Sequence, residues 1–147
     1  MKYLILFSLL LLSIVPLSCS QKECEWRDVA KFANYEVENF DDYRVISGDS
    51  AQTDPFSVAG RRLQVFCVSG LSDVEPSPSG DSLTIDLYHY PDMKFVKRAV
   101  DVTWTKGEVD FFPPTKSFFS VEVGKGMYCL HVSSSHVHWA VTVSECV

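Results

Sequence analysis

Ser82-Leu83-Thr84-Ile85-Asp86-Leu87-Tyr88-His89-Tyr90 alternates apolar and polar side chains over most of its length. Successive side chains of an extended chain point to opposite sides, so Leu83, Ile85 and Leu87 share one face and Thr84, Asp86 and Tyr88 the other. This period of two predicts a half-buried β-strand. Pro91-Asp92 then turns the chain.

The pattern extends in both directions. Upstream, residues 62–68 (Arg-Leu-Gln-Val-Phe-Cys-Val) are apolar at most positions, as in a strand covered on both faces. Residues 69–80 hold prolines, glycines, serines and acids and read as a loop. Downstream, residues 95–104 form one long strand or a strand pair, and Lys106-Gly107 turns. A strand over 109–112 is stopped by Pro113-Pro114. Strands over 118–123 and 127–133 flank Gly124-Lys125-Gly126, and residues 139–144 close the series. About seven short strands at this spacing cannot be stable as isolated hairpins and must close two sheets over one core. The expected fold is mainly β, an antiparallel two-sheet β-sandwich, jelly-roll-like.

Residues 21–55 read differently. Trp26, Val29, Ala33, Val37 and Phe40 recur every three to four positions, which predicts a short N-terminal helix over residues 25–38. A short strand over 43–46 follows. This helix and loop segment belongs to one domain with the sandwich of residues 56–147.

The chain begins with one lysine, an apolar run to Leu17, then small residues. That order is the layout of a cleavable signal peptide, residues 1–20, cut after Ser20. A membrane anchor and a lipoprotein held through Cys19 are the alternatives. The apolar run is short of the ~20 residues that span a bilayer, and Pro16 stands where a lipoprotein leader carries an aliphatic residue. No later segment is apolar enough to span a membrane. Loss of the leader removes one lysine and no acid, taking the net charge from −6 to −7. An acidic surface excludes nucleic acid as a natural partner. The expected location is secreted and extracellular.

Export brings an oxidising compartment, so Cys24, Cys67, Cys129 and Cys146 are expected as structural disulfide cysteines, with three pairings open. Their separations exclude a zinc ribbon. Parity favours one pairing. If Tyr128, Leu130 and Val132 face the core, Cys129 faces away, and Cys67 does the same if Phe66 and Val68 face inward. Cys67 would then join Cys129, and Cys24 would join Cys146 near the termini.

An ordered set of features runs from Phe56 to Val143: Phe56-Ser57-Val58-Ala59-Gly60, the strand 63–68, Asp86-Leu87-Tyr88, Phe111-Phe112, Gly126-Met127-Tyr128 and Ala140-Val141-Thr142-Val143. This set resembles the pre-peptidase C-terminal type of β-sandwich. The resemblance implies a jelly-roll-like accessory or binding domain rather than a catalytic one, and it carries over no functional residue. An immunoglobulin-like sandwich ranks second: Cys67 and Cys129 suit it, but Gly80 lies where its tryptophan is expected, and Tyr128 is adjacent to the second cysteine rather than two residues before it.

Candidate chemistry is sparse. His136 and His138 share a strand face and, with His131 as a third ligand, are the best metal-ligand candidates, yet they follow a serine run with no carboxylate or cysteine ligand at a useful spacing, and the polar hairpin tip is the favoured reading. Gly80-Asp81-Ser82-Leu83 spells a serine-hydrolase signature on a chain too short and too β-rich for that fold. Asp41, Asp42, Asp49, Asp54, Asp73 and Glu75 do not form the alternating loop that holds calcium. Tyr88, Tyr90, Phe95, Trp104 and Phe118 are candidates for an outward aromatic face that stacks on sugars or anchors a protein. No catalytic residue, metal site or cofactor is expected. The expected function is a secreted, non-enzymatic binding protein whose partner is an extracellular protein or glycan. The alternatives are a carrier of a small apolar ligand between the sheets, and a metal-binding protein or enzyme using the C-terminal histidines.

Overall fold

A computed structural model describes residues 23–40, 42–72, 80–105 and 114–147. The leader of residues 1–20, most of the loop at 69–80 and the strand expected at 109–112 lie outside these residues.

The chain is mainly β. Among the described residues ten strands run in order: β1 (Trp26–Ala33), β2 (Arg44–Val45), β3 (Ser50–Gln52), β4 (Phe56–Val58), β5 (Arg62–Leu71), β6 (Asp81–Tyr90), β7 (Lys94–Trp104), β8 (Thr115–Glu122), β9 (Gly126–Ser134) and β10 (Val137–Cys146). They form two sheets. The first has the order β2-β1-β10-β5-β8; the second has β3-β9-β6-β7, with β4 also paired to β9. All pairings are antiparallel except β1 with β2.

Alternation explains the core. Leu83, Ile85 and Leu87 of β6 and Leu130 and Val132 of β9 face inward from one sheet. Leu63 and Val65 of β5 and Trp139, Val141 and Val143 of β10 meet them from the other. These side chains fill the interior, and burial of such residues is the main force closing the two layers. Residues 95–104 belong to one strand, β7, bulged twice against β6.

The N-terminal helix expected over residues 25–38 is not formed. Residues 26–33 are β1, hydrogen-bonded to β10 from Trp26 opposite Cys146 to Ala33 opposite Ala140. A bulge between Asp28 and Ala30 inserts Val29 and breaks the period of two. That insertion is why the apolar residues recur at intervals close to a helical repeat. Pairing to a buried central strand then outweighs weak local propensity. β1 is tied further to β10 by the Cys24–Cys146 disulfide and by the Val147 amide donating to the Glu25 carbonyl at 3.0 Å.

The second expected bridge is absent. Cys67 and Cys129 are free and buried. On β5 it is Leu63, Val65 and Cys67 that face inward, and Phe66 that faces out. Cys67 lies inside, opposite Val141. Cys129 lies on the outer side of the other sheet. Packed sheets stand about 10 Å apart, beyond the ~7 Å between Cα atoms that a disulfide tolerates. A strand apolar on both faces leaves its phase open, and the opposite phase won here.

Candidate functional site

Strands β6, β7 and β9 lie side by side, so their outward residues build one surface. Tyr88 stands opposite Phe95 of β7 and Cys129 of β9, and Tyr90 stands opposite Met127. The turn between β6 and β7 carries a cis Tyr90–Pro91 peptide and Met93 at φ 52°. It folds back over the sheet, bringing Met93 Sδ to 3.8 Å from Cys129 Sγ. Tyr88 meets Phe95 edge to face at 5.7 Å and His131 at 6.4 Å. The outcome is a fixed aromatic and thioether surface. Phe95 is 53% exposed and Met127 37% on the sheet, and Met93 of the turn is 36% exposed.

Charges frame this surface. Arg98 donates to both carboxylate oxygens of Asp86, at 2.9 and 3.2 Å, and the Asp86 contact raises the Arg98 pKa. His89 Nδ1 and Asp92 Oδ1 are 2.7 Å apart, and the hydrogen bond from His89 lowers the Asp92 pKa. A cleft of about 450 Å³ opens beside Phe95, between His89, Lys94, Glu122 and Tyr128. A larger cleft of about 660 Å³ lies at the same end of the sandwich, beside Arg61, Arg62 and the disulfide.

Of the five aromatic residues expected to point outward, Tyr88, Tyr90 and Phe95 join this surface. Phe118 is exposed on the outer side of the other sheet, and Trp104 is buried. Met93, Met127 and Cys129 were missed as part of the surface. For two of them the signal was present: Met127, Cys129 and His131 share the parity opposite to Tyr128, Leu130 and Val132.

The histidines do not converge. His131 lies on the outer side of the second sheet, with Nε2 3.3 Å from Ser50 Oγ. His138 belongs to the first sheet and stacks on Tyr35 at 5.1 Å. His136 sits in the turn between β9 and β10 at φ 49°. Among the described residues no three His, Cys, Asp or Glu side chains are placed to hold a metal ion.

Ser135, His136 and Asp81 meet at the turn between β9 and β10. His136 Nδ1 is 3.3 Å from Asp81 Oδ1 and 3.4 Å from Ser135 Oγ, and Ser135 Oγ is 3.4 Å from the same carboxylate oxygen. Ser82 of the hydrolase-like signature lies on β6 opposite Thr103.

No protein-family model matches this chain, and no curated protein is significantly similar to it. Among the described residues no helix is long and apolar enough to cross a membrane.

Proposed function

We propose that this chain is a secreted, non-enzymatic binding protein that docks an extracellular protein through the outer surface of β6, β7 and β9. The observation that carries the reading is the exposed Phe95 and its setting. Tyr88 holds the ring edge to face, and two exposed thioethers, Met93 and Met127, belong to the same surface. Interfaces are enriched in aromatic residues, methionine and arginine, and methionine adapts to irregular apolar partners. The composition favours a protein over a glycan, because Tyr88 already spends its ring on Phe95 and His131.

Two further points support the reading. A disulfide is a bond of oxidising compartments. The resemblance of residues 56–143 to the pre-peptidase C-terminal type implies a jelly-roll-like accessory domain.

The test compares the protein with its Phe95→Ala variant, each immobilised and exposed to the extracellular fluid of its source. One or more proteins retained by the parent and lost from the variant is the expected result. Nothing retained, or equal retention by both, would sink the proposal. Phe95 is half exposed, so the variant keeps its fold, and circular dichroism verifies that.

A further inference from the structure

A sheet edge is a row of unpaired backbone donors and acceptors, and folded proteins protect such rows. Among the described strands, the edges of this sandwich are protected in different ways. β2, β3 and β4 are two or three residues long. β7 is long but bulged twice, and carries Lys94, Lys97 and Arg98. β8 is neither short nor bulged. Its eight residues run in unbroken register against β5, from Thr115 opposite Ser69 to Glu122 opposite Arg62. Its outer side presents Lys116, Phe118, Ser120 and Glu122. Phe118 is 62% exposed and stands opposite Phe66, itself 39% exposed.

From this edge we infer that β8 pairs antiparallel with β8 of a second copy of the chain, about a two-fold axis at Phe119. The register follows from parity and charge. Residues facing each other across antiparallel strands share a face, so outward residues must oppose outward residues. Two central registers satisfy this. With Phe118 opposite its own copy, Lys116 meets Ser120, and neither Lys116 nor Glu122 meets an opposite charge of the second copy. With Phe119 opposite its own copy, Lys116 meets Glu122 of the second copy and Glu122 meets its Lys116. Opposite charges directly across a strand pair stabilise it and like charges do the reverse, so the second register is selected.

That register also accounts for the exposed aromatics. Phe118 lies opposite Ser120 of the second copy and diagonal to its Phe118, within reach of a large ring. The Phe66–Phe118 pair of each copy then continues into that of the other as one stripe across a ten-stranded sheet. The symmetry is isologous and closed, so the association stops at a dimer.

Sedimentation equilibrium on purified, oxidised protein from about 1 to 100 µM tests this. The parent is expected to dimerise in that range. Lys116→Glu sets two glutamates opposite each other at both ends of the pairing and should weaken dimerisation at least about tenfold. The double variant Lys116→Glu/Glu122→Lys restores the complementarity and should recover the dimer. Lys116 and Glu122 are exposed, so thermal unfolding of Lys116→Glu should match the parent, and the double variant, which sets a lysine opposite Arg62 within the chain, should melt only slightly below it. A parent that stays monomeric throughout, a dimer indifferent to Lys116→Glu, or a failure of the double variant to recover would each overturn the inference.

Discussion

Glu145 shows how much one buried side chain settles. It points inward near the end of β10, almost completely covered. Its carboxylate accepts hydrogen bonds from Arg27 of β1 and from the Ala59 and Gly60 amides, at 2.7 and 2.8 Å, after β4. One carboxylate therefore joins the N-terminal strand, the C-terminal strand and the entry to β5. Burial pushes its pKa up, but the Arg27 and amide hydrogen bonds outweigh burial and hold it below the ordinary 4.5. A depressed value in the folded state means that the ionised group stabilises the fold above pH 4.5. That contribution is lost as acid titrates the group through its lower folded-state value. Glu145→Gln should cost about 2 kcal/mol at pH 7 and show a shallower loss of stability below about pH 4.5. Urea midpoints measured across pH check both. An unchanged acid limb would remove Glu145 from the account.

At the scale of elements, the connection between β4 and β5 passes against the end of β10. A Cβ on Gly60 would lie 2.2 Å from the Cys146 carbonyl oxygen, which is backbone and cannot swing aside. Gly124, in the turn between β8 and β9, has open space around its Cβ position. Gly60→Ala is expected to cost about 3 kcal/mol by forcing the β4–β5 connection off β10. Gly124→Ala should change stability by no more than about 0.5 kcal/mol. Thermal melts of the two variants separate close approach from general glycine effects. The β1 bulge belongs to this scale too. One inserted residue turns an amphipathic strand into something whose spacing reads as a helix.

At the scale of the whole molecule, the Cys24–Cys146 bond closes a span of 122 residues and fastens β1 to β10. Cross-linking over so long a loop restricts the unfolded chain strongly. Cys24→Ser/Cys146→Ser should lower the unfolding free energy by about 4 to 5 kcal/mol. The other two thiols behave differently. Burial alone pushes the Cys67 pKa up to about 12, and burial raises that of Cys129. Neither supplies a reactive thiolate at neutral pH. In denaturant without reductant, iodoacetamide should label the peptides carrying Cys67 and Cys129 and spare those carrying Cys24 and Cys146. Labelling of the latter pair without reduction would contradict the bridge.

The alternation at residues 83–88 and the turn residues between strands determined the β class and the two-sheet closure on their own, because each strand's pattern is local and its period is two. The same parity marked Cys129, Tyr88 and Phe95 as outward. Other features were not decidable locally. Whether Phe66 or Cys67 faces in depends on which neighbour β5 meets, since both faces of that strand are apolar. Whether residues 26–33 curl or extend depends on β10, more than a hundred positions away. The gathering of Met93 over Cys129 needs the β6–β7 turn to fold back on the sheet. Pattern is a property of neighbours in sequence, whereas phase, partner and bond between distant thiols are properties of neighbours in space, and only packing selects those.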